Sequence, residues 1–397
     1  MIRSLILLVC MIQLSDANTI SLKELLASTE KNNALMQAIM HESLALEAKN
    51  LASSASEPSE LYGSLAKAKP DLAPKADEYS IGISKQIKFG HAQELEQHIA
   101  RFQNQAYVLD EEKKVLNFTN GVKDLYHQHC MDKENYLDLK AAYGEFDALF
   151  KKKQKAFELQ EISKLELVQL QMEKEKLFGE FQRAEMIQNL SKANLFRLSR
   201  HNRAHHVSCA DVYRIKKSVI LPKERFSITK QAYEKRIAST HASLQRHSMP
   251  LDSVNLSMQY DKELDIDRYT VGISVPLNFT SKKSEQERVA AMHENSAISF
   301  RYEQEMLEKN VLFDKLEAEL IGAASTISTL RANLEGHKNT LLPLVYKSYT
   351  AGEVSALEYL LGRQQYHRLK QELYLEKKAY YHTLFELYSL SETKDNQ

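Results

Sequence analysis

A chain of 397 residues would ordinarily make two or three globular domains, yet this one carries only 11 glycines and 7 prolines, under 5% of its residues, where an average globular chain has about 12%. Turns are therefore few, and the proline-free intervals between Pro74 and Pro222 and between Pro276 and Pro343 are open to very long helices, which excludes most compact enzyme folds. With 53 basic and 53 acidic residues there is no net charge to hold nucleic acid, and the charges serve to solvate helix faces.

Residues 1–17 read as a secretory signal peptide. Arg3 precedes the apolar run 5–14, and Ser15 and Ala17 place small residues three and one before a cut, so the mature chain is expected to begin at Asn18. A competing reading makes Cys10 a lipidation site, but Val9 before it is bulkier than lipoprotein processing favours. No later segment has the roughly 18 apolar residues of a membrane-spanning helix, so export without a helical anchor is expected. Cys130 and Cys209 remain after cleavage, too few for a disulfide scaffold.

The first structural repeat is expected over residues 18–200. A helix runs from Ser21 to about residue 55, and two strands lie within about 59–89. The second strand has an apolar face of Tyr79, Ile81, Ile83, Ile87 and Phe89, interrupted by Lys85, which must snorkel unless the strand ends early. From about 90 to 157 only Gly121 and Gly144 interrupt a helix that would be about 100 Å long at 1.5 Å per residue. It reverses at a tip, about 158–166. There Ser163 and Glu166 fit a capping box, in which the serine hydroxyl caps the third amide and the glutamate reaches back, and a return helix runs to about residue 200.

Residues 201–223 form a linker between the repeats. His201, His205, His206 and Cys209 bring imidazole and thiolate, ligands for zinc or copper, close together in sequence. His127, His129 and Cys130 make a second such set. Neither spacing matches a standard closed site, and an ordinary polar linker is the competing reading.

The second repeat is expected over 224–390, with a tail at 391–397. After a helix to about residue 247, strands lie within about 252–279. Val254, Leu256, Met258 and Tyr260, then Tyr269, Val271, Ile273 and Val275, alternate with mostly small or polar residues. Such alternating segments of about ten residues fit the strands of an outer-membrane barrel, with these eight side chains toward lipid. Tyr260 and Tyr269 flank the charged connection 261–268 and Phe279 lies at the far end, where aromatic girdles belong. A second long helix is expected from about 279 to 349. Within it Phe313, Leu316, Leu320, Ala323, Ile327, Leu330 and Leu334 keep the 3,4 spacing of a coiled-coil seam. At the tip, about 350–358, Gly352 can take the left-handed conformation that ends a helix, and Ser355 with Glu358 forms another capping box.

The repeat is visible directly. Tyr79-Ser80-Ile81-Gly82-Ile83-Ser84 returns as Tyr269-Thr270-Val271-Gly272-Ile273-Ser274, and Glu161-Ile162-Ser163-Lys164-Leu165-Glu166 returns as Glu353-Val354-Ser355-Ala356-Leu357-Glu358. Pro58 likewise returns as Pro250, so the chain is two copies of a unit of about 190 residues. Four strands cannot close a barrel, which needs at least about eight, and open edges in lipid leave backbone groups unpaired. Protomers must pool their strands, two giving about eight and three about twelve.

At this point the sequence resembles the TolC family of outer-membrane efflux and secretion channels. The run 349–360, Tyr-Thr-Ala-Gly-Glu-Val-Ser-Ala-Leu-Glu-Tyr-Leu, is similar to the family's second-hairpin tip, and 271–277, Val-Gly-Ile-Ser-Val-Pro-Leu, to its strand entering the second long helix. The resemblance covers essentially the whole mature chain. It implies a mainly α fold with a small membrane β-barrel contribution: a TolC-like trimeric α/β barrel in the outer membrane of a Gram-negative bacterium, with a periplasmic helical tunnel. Outer-membrane lipid, a periplasmic adaptor and an inner-membrane pump are the implied partners. Tip residues Gln160, Glu161, Ser163, Gly352, Glu353 and Ser355 would meet the adaptor, and Glu166 and Glu358 would be acids at the tunnel entrance. Gln160 replaces the first-tip glycine, Leu361 stands where a second entrance acid occurs, and Val354 stands where a gating arginine occurs, so that gate link does not carry over.

No glycine-rich phosphate loop, nucleophile elbow or zinc-protease motif is present, so no enzyme activity, catalytic residue or cofactor is nominated. The leading reading is a passive export duct for small molecules or metal ions. A soluble periplasmic coiled-coil adaptor or structural protein is the alternative, and strand alternation favours the duct.

Overall fold

The computed structural model of the chain describes residues 19–53, 55, 57–68, 76–88, 92–199, 206–218, 226–246, 253–263, 266–275 and 282–392. The expected signal peptide, Cys10, Phe89, Leu277 and Phe279 lie outside these residues. In order, the elements are β1 (Thr19–Ile20), α1 (Leu22–Asn32), α2 (Ala34–Ser53), β2 (Glu60–Ala68), β3 (Ala76–Lys88), α3 (Ala92–Glu158) and α4 (Lys164–Ser199). Then come β4 (His206–Val207), α5 (Phe226–Arg246), β5 (Ser253–Lys262), β6 (Asp267–Ser274), α6 (Lys283–Gly336), a π-helical turn (His337–Leu341), α7 (Leu342–Thr350) and α8 (Ala356–Leu390). No helix among the described residues is long and apolar enough to cross a membrane.

The long helices form where proline is absent, and they break where a residue competes for the backbone. The helix expected from Ser21 to residue 55 is two helices, because Asn33 sits in extended backbone at φ −75°, ψ 131°. Its side chain accepts from the Leu35 amide at 2.8 Å and donates to the Leu198 carbonyl at 3.0 Å, so it stops α1 and starts α2. The second long helix is also interrupted. Pro343 has no N–H and its ring presses on the carbonyl four residues earlier; the backbone widens just before it, with the Leu342 amide donating to His337 O.

Two compact units result, each drawing on both repeats: a helical unit of Met1–Ala38, Lys114–Glu224 and Lys309–Gln397, and a strand-bearing unit of Ile39–Lys113 and Arg225–Glu308. The helical unit has a core in which the expected α6 seam is seated. Leu316, Leu320, Ile327 and Leu330 are buried in one cluster with Tyr380, Leu384, Phe385 and Leu387 of α8 and Val122 and Tyr126 of α3, and Phe313, Ala323 and Leu334 pack against it.

Onto this core the linker is fastened by side chains. β1 pairs in parallel with β4, Thr19 opposite His206 and Ile20 opposite Val207. The Tyr126 hydroxyl donates to Ser208 O at 2.6 Å, Tyr381 donates to Tyr213 O at 2.6 Å, and the Lys216 amide donates to the Tyr380 oxygen at 2.8 Å. Burial pushes the Tyr126 phenol up to about 12, which keeps it a donor. Cys130 of α3 and Cys209 of the linker form a disulfide across 79 residues of sequence, with Cα atoms 5.6 Å apart. The two cysteines are thus a covalent part of the clamp.

In the strand-bearing unit the sheet order is β2-β3-β5-β6, antiparallel throughout. β3 continues through Lys85 to Lys88, and Lys85 sits opposite Leu256 with its side chain exposed, so the strand does not end early.

Closing the loop with the disulfide restrains the unfolded chain. The double variant Cys130→Ala/Cys209→Ala is expected to lose about 2–4 kcal/mol of stability, read as a lower denaturant midpoint for the helical transition, with native circular dichroism retained in buffer.

Candidate functional site

Residues directly opposite one another in an antiparallel ladder project to the same face, so the register sorts the sheet without ambiguity. One row runs Ile83, Met258, Val271; the next Ile81, Tyr260, Tyr269; and Leu61 pairs with Ile83, Leu65 with Tyr79, and Leu256 with Ile273. One face of all four strands is therefore mainly apolar, interrupted by Lys85 between Ile83 and Ile87 and bounded at the far end by Lys262 opposite Tyr79. It is also open: Leu65 is 87% exposed, Leu61 77%, Tyr269 80%, Val271 72% and Ile273 67%. Of the eight side chains expected on this face, Val254 sits opposite Ile87 and is half-buried, and Val275 lies just past the end of β6.

The opposite face is polar and bonded to itself. Ser64 and Ser80 hydroxyls are 2.8 Å apart, Gln86 donates to Ser253 at 3.0 Å, and the Tyr62 hydroxyl donates to Gln259 Oε1 at 3.1 Å. Tyr62 reaches Gln259 by crossing Gly82; a Cβ there would lie 2.5 Å from its ring, so any larger residue would push Tyr62 aside.

The hairpin tips belong to the helical unit. Both end their first helix in the same way. At the second tip Gly352 has φ +79°, its amide donates to Tyr349 O at 3.2 Å, and the Glu353 amide donates to Ser348 O at 2.9 Å. At the first, Gln160 has φ 61°, its amide donates to Phe157 O at 2.9 Å, and the Glu161 amide donates to Ala156 O at 2.8 Å. Each pair of bonds is a Schellman motif. A glutamine thus holds the left-handed position that glycine takes in the other copy.

The helices that follow begin differently. Ser355 and Glu358 complete the capping box: the Glu358 amide donates to the Ser355 hydroxyl oxygen at 3.3 Å, and Glu358 Oε2 accepts from the Ser355 amide at 2.8 Å. These bonds from the Ser355 backbone and hydroxyl hold the exposed Glu358 carboxyl below its usual range. At the first tip only half of the expected box is made. The Glu166 amide donates to Ser163 Oγ at 3.1 Å, but the Glu166 carboxylate turns to Tyr349, whose hydroxyl donates to it at 2.6 Å, and to Lys153 at 3.5 Å. Lys153 Nζ lies 4.0 Å over the Tyr349 ring, which stacks on Tyr359 at 4.7 Å. Burial and then Glu166 push the Tyr349 phenol far above its ordinary value. The two tips are tied to each other through a pair that no local spacing announces.

The histidine–cysteine sets do not assemble. Cys209 and Cys130 are bonded to each other, which removes both thiolates from any metal set. His206 is exposed on β4, and His201 and His205 lie outside the described residues. His127 places Nδ1 at 2.7 Å from Lys123 O and accepts from the Tyr213 amide at Nε2, while His129, held down to about 4 by burial, meets Ser191 at 3.0 Å. Among the described residues no three His, Cys, Asp or Glu side chains form a metal-holding group.

No protein-family model matches the chain. No curated protein matches it in sequence. Its fold, however, superposes on solved channel proteins along nearly their full length. A CusC structure is 15% identical with a TM-score of 0.77, covering 93% of this chain and 92% of that one. The Campylobacter jejuni CmeC outer membrane channel is 15% identical with a TM-score of 0.74, covering 94% of this chain and 87% of that one. The open-state MtrE outer membrane channel of Neisseria gonorrhoeae is 13% identical with a TM-score of 0.72, covering 95% and 90%. The chain therefore has the TolC-like fold, and these structural neighbours are channel proteins rather than enzymes.

A side chain at left-handed φ costs about 1 kcal/mol or more. Gln160→Gly is accordingly expected to stabilise the helical unit by about 0.5–1 kcal/mol, the greater unfolded freedom of glycine offsetting part of the gain, whereas Gly352→Leu destabilises it by about 1–2 kcal/mol. Opposite shifts in the thermal midpoint, without loss of helix content, check this.

Proposed function

We propose that this chain is the outer-membrane duct of a tripartite efflux or type I secretion system, passively exporting small molecules or metal ions to the exterior. Three copies close a twelve-stranded barrel in the outer membrane of a Gram-negative bacterium. Their helical units line a periplasmic tunnel, and a periplasmic adaptor and inner-membrane pump engage the hairpin tips. The observation that carries this reading is the sheet: four strands with one exposed, mainly apolar face in which Lys85 is the one charge between Ile83 and Ile87, an opposite face of hydroxyls and amides, and edges at β2 and β6. Lipid suits the first face, a wet lumen the second, and further strands the edges. A soluble periplasmic coiled-coil protein fits poorly, because it would leave Leu61, Leu65, Tyr269, Val271 and Ile273 in water. The outer-membrane channels CmeC and MtrE, which share the fold, support the duct.

At the tips, Leu159, Leu165, Leu357 and Leu361 are more than half exposed, an apolar surface suited to an adaptor. Ser163, Ser355 and the left-handed residues Gln160 and Gly352 shape that surface, and Glu161 and Glu353 charge it. Glu166 and Glu358 are the entrance acids. Only Glu358 is fully exposed, so it is the one that biases ions passing the entrance.

Wild-type protein should be recovered from the outer membrane only with detergent and have the mass of a trimer. Val271→Arg places a charge against lipid at about 2–4 kcal/mol and should abolish assembly, whereas Ser274→Arg, on the polar face, should assemble normally. Soluble recovery without detergent, or equal membrane yields of the two variants, contradicts the duct.

Glu358→Gln keeps most cap hydrogen bonds but removes the charge. In planar bilayers under a salt gradient, its reversal potential should move toward lower cation selectivity; an unchanged potential leaves Glu358 as a cap alone.

A further inference from the structure

Within the helical unit lies a cavity of about 690 Å³ walled by α3, by the π-helical turn with the start of α7, and by α8. Its presence follows from the sequence. The turn His337–Leu341 swells ahead of Pro343, both Lys338 and Pro343 face the cavity, and small residues such as Ala141, Ala142 and Ala148 on α3 leave the opposite wall thin. π-turns within α-helices recur at functional sites because the bulge frees backbone and re-aims side chains.

Four cationic side chains and two carboxylates line the cavity. Lys370 is taken up by Asp138 at 2.9 Å. Arg363 donates to the Tyr359 hydroxyl at 3.0 Å, lies over the Phe146 ring and comes only within 3.8 Å of Glu145. Lys152 and Lys338 form no ion pair among the described residues, so the site keeps two uncompensated positive charges. His367 adds an unmet polar demand: its Nε2 is buried and has no hydrogen-bond partner. The remaining lining is aromatic and apolar, with Tyr346 and Tyr366 beside Leu342 and Pro343. A cation is repelled from such a place, and a small inorganic anion leaves the tyrosine wall unused.

We infer that this cavity binds a ring-bearing organic anion, an arene carboxylate or sulfonate, whose charged group is drawn by Lys152 and Lys338 while its ring lies against Tyr346 and Tyr366. The site adjoins the second tip, since Tyr359 lines it and stacks on Tyr349, but it uses neither entrance acid and stands or falls independently of the duct.

The probe is 1-naphthoate, with 1-naphthalenemethanol as a neutral partner of the same ring and sodium sulfate as an anion without one, titrated by calorimetry into the full-length protein in a nonionic detergent. Naphthoate should bind saturably at one site per chain, at least tenfold tighter than the alcohol, and sulfate should compete only weakly. Lys152→Ala/Lys338→Ala should weaken naphthoate tenfold or more and leave the alcohol unchanged; both lysines are exposed, so the variant keeps its fold, checked by circular dichroism. Equal affinity for naphthoate and the alcohol, sulfate competing as strongly as naphthoate, or naphthoate affinity unchanged in the double variant would each overturn the assignment.

Discussion

The constraint on which the rest of this structure depends is that backbone N–H and C=O groups removed from water must be paired. Within one chain the sheet satisfies β3 and β5 on both sides but β2 and β6 on one side each. A two-sided sheet with one apolar face could bury that face on a helix, as soluble proteins do. Here the face is left open along all four strands, at Leu61 and Leu65 as much as at Val271 and Ile273. In the proposed duct the outer edges of β2 and β6, unpaired among the described residues, take strands from other copies, and the open face takes lipid. The duplicated sequence makes this economical, because each repeat needs to encode only one hairpin and its helices.

Duplication also allows the two copies to drift apart, and the tips record how far. Both retain the left-handed stop and the serine cap, since the geometry of reversal demands them. The glutamates three residues after the serines have parted company. Glu358 still closes its own capping box, while Glu166 has given up that bond for Tyr349 and Lys153. The exchange replaces a local backbone bond with a link between hairpins, so the two tips behave as a coupled pair. A hydrogen bond to a charged group is worth about 1.5–3 kcal/mol, so this link between the tips is at least as strong as the capping bond it replaces.

Much of this was legible in the sequence, and the pattern of what was not is physical. The long helices, the α6 seam, the strand faces, the reversal at Gly352 and the second capping box all follow from periodicity or from residues within four positions of each other. Lys85 was ambiguous because one charge in an alternating strand is compatible with a snorkel or a stop; pairing with Leu256 decided it. Asn33 and Pro343 were visible as residues, but whether each bends, breaks or swells its helix depends on neighbours such as the Leu198 carbonyl. Hidden altogether were contacts between distant segments. Tyr349 and Glu166 are 183 residues apart, and Cys130 and Cys209 read equally well as metal ligands because a pair of cysteines in sequence carries no information about Cα separation.

The linker shows the same point from the other side. Read as sequence, 206–218 mixes apolar and polar residues without a sustained helix or strand period, and a loop of that kind usually lies on the surface. In the fold it is pressed to the core, and beyond the two-residue β1–β4 ladder its backbone groups find partners among side chains. They find tyrosines and a histidine. Tyr126, Tyr380 and Tyr381 bond the linker backbone, and His127 accepts from the Tyr213 amide at 3.0 Å while its other nitrogen lies 2.7 Å from a carbonyl. Only the neutral ring with its proton on Nδ1 satisfies both contacts, because a carbonyl cannot donate and an amide cannot accept. The joint between the repeats is therefore specified from both sides: the linker's Val207, Val212, Tyr213 and Ile215 pack on the core, and side chains on α3 and α8 hold its backbone through a disulfide and at least five hydrogen bonds.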